Sequence, residues 1–182
     1  MNSNFPVCLA FVLEDEGGNT DDPTDPGGRT SRGITQRVFN AWCNAHGEPL
    51  SDVWTVSNAT VAQIYSQKYW LPECDPLPKG EDYLLFDMKV NMGARQATIL
   101  LQRALGVAAD GIFGPLTLTA AMDANIAALL PAVTAQKIAF YKELIVEYPT
   151  DSKYYQGWLN RVQKVQARIP SVELRALKMM RA

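Results

Sequence analysis

The chain has 182 residues, of which 47% are hydrophobic and 20% charged, with a formal net charge of −2. This suits one domain or two small ones and excludes disordered, collagen-like and low-complexity chains, since four Trp, seven Tyr and six Phe can fill a core. The weak charge argues against a dedicated nucleic-acid binder, and a lone histidine, His46, leaves too few imidazoles for a zinc hydrolase.

Phe5, Leu9, Val12 and Leu13 share one helical face, and Gly17-Gly18 stops that helix. The apolar stretch Phe5 to Leu13 does not read as a signal peptide. It lacks a positive n-region and a small-residue cleavage site, and it runs into Glu14-Asp15-Glu16. Gly17 to Gly33 is a loop dense in Asp, Pro, Gly and Thr, with room for a hairpin. Helices are predicted from Thr35 to Ala45 and from Ser57, as a cap, to Trp70. Leu71 to Gly80, with three prolines, is a connector. Two helices follow, Asp82 to Val90 and Ala94 to Leu105, broken near Gly93. Asp110 to Pro115 is a turn that opens a helix with Pro115 near its first position. The last helices are predicted at Ile126–Tyr148, Ser152–Ile169 and Val172–Met180, interrupted by Pro149 and Pro170. No run is long enough to span a bilayer. Cys8, Cys43 and Cys74 are scattered, with no CxxC pair, and read as free thiols of a reducing compartment.

The chemistry concentrates around Glu16. This residue ends a helix beside its apolar face, whereas Glu14, roughly 200° away around the axis, points to solvent. Partial desolvation, the negative end of the helix and like charges at Asp15 and Asp22 are the setting of a general acid. The plainer reading is a solvated carboxylate in an acidic cluster. Nine residues on stands Asp25 and five further Thr30, giving E-x8-D-x4-T. Pro26 stiffens this loop, and Gly27-Gly28 permits close approach of a ligand. Glycoside hydrolysis needs such a pair, one carboxyl protonating the leaving oxygen and the other activating a water on the opposite face of the ring. A separation of about 6.5–9.5 Å would give inversion and one near 5 Å retention. Asp21 and Asp22 compete with Asp25 for the second role. A calcium loop starting at Asp21 fails, having Pro26 where Gly is needed and Arg32 where Glu is needed.

These blocks resemble a known family. Glu16-Gly17-Gly18, Asp22-Pro23, Asp25-Pro26-Gly27-Gly28, Thr30 and Gly33-Ile34-Thr35 are similar to the opening of glycoside hydrolase family 108, the N-acetylmuramidase-type phage endolysins and their bacterial relatives. The similarity continues through Tyr69-Trp70, Asp82-Tyr83, Leu85-Phe86-Asp87, Val90-Asn91 and Gly93. Leu100 to Val107, Asp110-Gly111, Gly114 to Thr117 and Gly157 to Val162 resemble the peptidoglycan-binding region that follows it. Two positions depart: Asn19 stands where the family has an aromatic, and Met92 where it has a small residue. The resemblance implies a mainly α, lysozyme-like fold with a small loop or β-hairpin element near the active site. It implies a muramidase region over 1–92 and a helical peptidoglycan-binding region over 93–182, packed as one unit. It implies cleavage of the β-1,4 bond from N-acetylmuramic acid to N-acetylglucosamine, with Glu16 as catalytic acid.

Within that reading Asp25 acts as base and Thr30 positions its water. Tyr83, Asp87 and Asn91 recur on one helix face, so Asn91 would hold an N-acetyl group, and Asp87 would touch the substrate or brace the helix. Tyr69 would stack on a sugar or belong to the core. No metal or cofactor is required, and the expected partner is the glycan strand, with no nucleic acid, no membrane insertion and a monomeric state. The expected setting is a host bacterial cytoplasm until release to the wall through a holin-type pore. Alternatives are a lytic transglycosylase and an inactive wall-binding or secretion-accessory protein. Cys43 and His46, at i and i+3, invite a thiol-hydrolase reading, but His46 sits where a helix end would favour an imidazole. The basic stretch from Lys153 to Arg181 is either a solvated helix edge or a surface for anionic wall polymers.

Overall fold

The structure, a computed structural model, describes residues 4–21 and 27–179, with side chains through residue 172. Helices carry nearly all of the regular structure, joined by one small antiparallel sheet, in a mainly α, lysozyme-like fold. The chain divides into two compact units. The smaller is Leu9–Lys68, and the larger joins the first turn of the first helix to everything from Tyr69 onward. Among the described residues no helix is long and apolar enough to cross a membrane, and no three His, Cys, Asp or Glu side chains gather as a metal site.

Helix α1, Phe5–Glu16, buries Phe5, Cys8, Leu9 and Val12. Glu16, four residues after Val12, is the polar end of that stripe. In the smaller unit the chain leaves α1 through Gly17, at φ +76°, the left-handed exit that glycine adopts without cost. Strands β1 (Asn19–Thr20), β2 (Thr30–Ser31) and β3 (Ile34–Thr35) form an antiparallel sheet in that order. Asn19 pairs with Ser31, Thr20 with Thr30, and Thr30 in turn with Thr35. Arg32 and Gly33 both have positive φ, the signature of a type I′ hairpin turn. Thr35 then caps α2 (Gln36–His46) by accepting from the Val38 N–H, and Gly47 ends that helix left-handed. Ser57 caps α3 (Asn58–Tyr65) as its position predicts. The helix predicted to run on to Trp70 instead widens into a single π turn over Ser66–Trp70.

In the larger unit α4 (Glu81–Met92) is the central element, buried from Glu81 to Lys89. It packs against α5 (Ala94–Leu105) and α8 (Tyr155–Met179), and α7 (Ile126–Glu147) packs against α5 and α8. Trp70, fully buried, meets Phe5 and Phe86 edge-on with ring centroids 5.2 and 5.4 Å away. Charged side chains on a helix so deep need partners, and Asp82 and Lys89 show theirs. Asp82 accepts from Asn4 and from the Gly80 and Tyr83 N–H groups, and Lys89 donates to Glu73 at 2.7 Å. Pro115 opens α6 (Pro115–Met122). The thiols of Cys8 and Cys74 are fully buried and unpaired, and desolvation pushes both up from their ordinary range.

One prediction fails for a physical reason. Pro170 does not end a helix, for α8 runs from Tyr155 through it to Met179. The proline removes one backbone bond and crowds the preceding turn, a cost of about 3 kcal/mol. Val162, Val165, Ile169 and Val172 nevertheless form an unbroken buried stripe across it. Burying each such side chain returns roughly 1.5–3 kcal/mol, which keeps the helix continuous.

Candidate active site

Glu16 is half-buried at the C-terminal end of α1. Its place is fixed by the β2–β3 turn, whose Arg32 N–H donates to the Gly18 carbonyl at 3.1 Å. The carboxylate lies against the backbone of Gly33. A Cβ there would sit 2.8 Å from Glu16 Oε2 and 2.5 Å from the Tyr65 hydroxyl, so only glycine fits, independently of its φ of +74°. Tyr65, from α3, is buried and donates its hydroxyl to the Arg32 carbonyl at 2.9 Å. Glu16, Gly33 and Tyr65 thus converge on one turn. Arg32 is anchored in its own right by bonds to Asn58 and to the Val56 carbonyl.

Thr30 stands on β2, two residues before that turn. Its hydroxyl donates to the Gly28 carbonyl at 2.9 Å, which commits its proton and leaves its lone pairs as acceptors. Its own carbonyl accepts from Trp54 Nε1 at 3.1 Å. Asp25 and Asp22 lie outside the described residues. Asp21, the other competing carboxylate, pairs with Arg29 Nη1 at 3.0 Å and so ties the two ends of the loop together.

Sequence reasoning missed the cluster on which that loop rests. Arg29 grips Asp52 through two nitrogens, at 2.9 and 2.5 Å, and its guanidinium lies 3.5 Å from the centroid of the Trp54 ring. The bond to Arg29, with a further one from the Trp54 N–H, holds the Asp52 carboxyl down at about 2. The same carboxylate holds Arg29 protonated still more firmly than usual. Asp52 is 23 residues from Arg29, and the one local signal was its place as cap of the short 3₁₀ turn Val53–Thr55.

In the larger unit, Tyr83, Asp87 and Asn91 do share one face of α4, and α7 and α8 engage all three. Arg168 reaches the Tyr83 hydroxyl, Tyr141 donates to Asn91 Oδ1 at 2.6 Å, and Asp87 receives Lys137 at 3.2 Å and Arg161 at 2.8 Å. Asp87 has no accessible surface. A carboxylate buried between two cations is in the setting of a brace for the helix. Asn91 keeps partial exposure. The phenol that meets it is desolvated and so held protonated, the form that donates. Tyr69 is half-buried in the π turn.

The Asp110–Pro115 turn is held from within by Gln102. Its amide nitrogen donates to Asp110, to the Ile112 carbonyl and to Thr117, while its oxygen accepts from the Gly111 N–H. Cys43 and His46 make no nucleophilic pair. Cys43 is buried, whereas the His46 ring stacks on Trp42 at 4.3 Å and bonds the Trp42 carbonyl at the end of α2.

Residues 9–93 match the family model for glycosyl hydrolase 108, and residues 96–163 match that of a "Predicted Peptidoglycan domain". No curated protein sequence matches the chain. Among solved structures, that of Brucella abortus SagA is similar, with 31% identity and a TM-score of 0.76 over 93% of this chain and 95% of that one. A half-buried carboxyl seated on a glycine turn at the end of the first helix thus lies inside a hydrolase family's span, and a wall-directed module follows it. The chain belongs to glycosyl hydrolase family 108 and is a peptidoglycan-active glycoside hydrolase.

Proposed function

We propose that the protein is an N-acetylmuramidase, hydrolysing the β-1,4 bond between N-acetylmuramic acid and N-acetylglucosamine by general acid/base catalysis. Glu16 delivers a proton to the leaving glycosidic oxygen. Asp25 takes a proton from the attacking water, and Thr30, whose own proton is committed, accepts a hydrogen bond from that water and orients it. The observation that carries this reading is the seat of Glu16. Glu16 is half-buried at the end of the helix that buries Leu9 and Val12, and its Oε2 lies close against the Gly33 backbone near the Tyr65 hydroxyl. Such a seat holds a carboxyl in one orientation and partly out of water, as proton delivery requires. Asn91, with its oxygen held by Tyr141, has an amide N–H₂ suited to an acetyl carbonyl. Tyr69 is assigned to a sugar ring and Asp87 to the frame that holds α4. The resemblance to phage endolysins extends the reading to a monomeric lytic enzyme that reaches the wall through a holin-type pore.

The test is digestion of purified peptidoglycan by wild type and Glu16→Gln, followed by mass analysis of the products. Hydrolysis leaves reducing ends, and the variant should lose roughly 10²–10⁴ in rate while melting like the wild type. Anhydro products would replace hydrolysis by a transglycosylase route. Equal clearing by the two proteins would remove Glu16 from the chemistry, and clearing by neither would leave a wall-binding protein.

A further inference from the structure

The smaller unit carries, besides the acid, an indole ring set out toward solvent. Among its described Trp, Tyr and Phe residues Trp54 is the one with substantial exposure, at 39%. Three contacts fix it. The Arg29 guanidinium covers one face at 3.5 Å, the Nε1–H donates to the Thr30 carbonyl at 3.1 Å, and the backbone N–H is held by Asp52 at 2.9 Å. Arg29 is held in turn by Asp52 and Asp21, so its charge is offset on the spot. With one face and the nitrogen edge occupied, the exposure falls to the opposite face and the far edge. An indole left half bare would otherwise tend to bury itself, and here a bidentate ion pair holds it open.

The position matters as much as the exposure. The ring is bonded to Thr30, and from Thr30 the strand runs about 7 Å, two residues, to the turn on which Glu16 rests. The exposed strand β1 offers no ring beside it, only Asn19 and Thr20. We propose that Trp54 is a stacking platform for a pyranose ring of the glycan strand, and that Arg29 is its positioning residue. The ligand class follows from the geometry. A flat, immobilised, electron-rich face beside a polar sheet suits a ring with C–H bonds on its face and hydroxyls at its rim. An apolar peptide side chain would gain more from a pocket than from a single exposed plane. The inference rests on the assignment of Glu16 as the acid, since it places the sugar relative to that residue.

The experiment measures binding apart from cleavage. Peptide-free glycan strands prepared from peptidoglycan are titrated into Glu16→Gln protein, with tryptophan fluorescence and calorimetry as readouts. The strands should change the fluorescence. Adding Trp54→Ala should abolish most of that change and weaken Kd about tenfold, with Trp54→Phe intermediate. Arg29→Lys, which keeps the charge but loses the planar fork, should weaken Kd two- to fivefold. In otherwise wild-type protein, Trp54→Ala should raise KM while kcat stays within about twofold, as expected where ground state and transition state lose the same contact. Should Trp54→Ala prove unfolded, the Phe variant carries the test through its Kd and its fluorescence. Unchanged Kd and KM in a folded Trp54 variant overturn the proposal even if Glu16→Gln is inactive. A weakened Kd upholds it even if Glu16→Gln retains activity, in which case the catalytic reading fails instead.

Discussion

The two compact units solve the same problem, holding polar side chains in fixed places, by opposite means. The smaller unit has short strands and long connections, and its fixing bonds lie at or near the surface: Arg29 to Asp52 and Asp21, Arg32 to Asn58 and Val56, Gln36 to Asn40 and Ser51. The larger unit sinks its charges. Asp87 lies between Lys137 and Arg161, and Asp82 under Asn4, with essentially no water contact for either carboxylate. Surface ion pairs are individually weak and easily screened, so the smaller unit depends on many of them together with one close glycine contact. A buried cluster tolerates no missing member, because the remaining charge is stranded. The unit that carries the proposed acid is thus the one built from adjustable parts.

The sharpest way to break this contrast is to empty the centre of the buried cluster. Asp87→Ala leaves Lys137 and Arg161 facing each other without a counter-charge and should cost about 3–5 kcal/mol, read as a large drop in thermal midpoint. A triple change to apolar residues of similar volume at 87, 137 and 161 should recover most of that loss. Gly33→Ala tests the opposite mode. A methyl group must meet the Tyr65 hydroxyl and Glu16 Oε2 at a left-handed φ, at a cost of about 1–3 kcal/mol. Peptidoglycan clearing should fall more than tenfold in protein that is still folded, since the displaced atoms are those of Glu16. Tyr141→Phe removes a single bond to Asn91 and should cost about 1 kcal/mol by urea titration.

The smallest effect belongs to the surface and depends on pH. Asp52 is held near 2, below its unfolded value of about 3.9, so its bond to Arg29 contributes fully above pH 4 and is lost as pH falls toward 2. Wild type and Asp52→Asn should therefore differ slightly in stability at pH 5 and converge below pH 2. Salt at 1 M should narrow the gap at pH 5.

The same contrast explains what the sequence disclosed. Periodicity and caps are local, so α1, the Ser57 cap, the break at Gly93 and the Pro115 start could be read directly from neighbouring residues. Glu16 stood out because it falls four residues after Val12 on a buried stripe. The partners of Asp87, by contrast, lie 50 and 74 residues away, and no pattern within a helix names them. The choice between ligand and brace for that residue turns on α7 and α8, which the α4 sequence does not contain. Trp54 escaped notice because its surroundings carry no periodic signal: one bond from Asp52 and one ring contact from Arg29 define it, and both come from loops. Pro170 misled for the reverse reason, a strong local rule outweighed by the buried stripe that spans it.

The buried sulfurs of Cys8 and Cys74 carry a consequence for handling. Oxidants and alkylating reagents attack the thiolate, and Cys8 and Cys74 have neither the charge nor the access to supply one while the core is closed. In the folded protein these two thiols should stay unmodified in an oxidising medium and form no crosslinks. Both sulfurs should label only once denaturant has opened the helices around them.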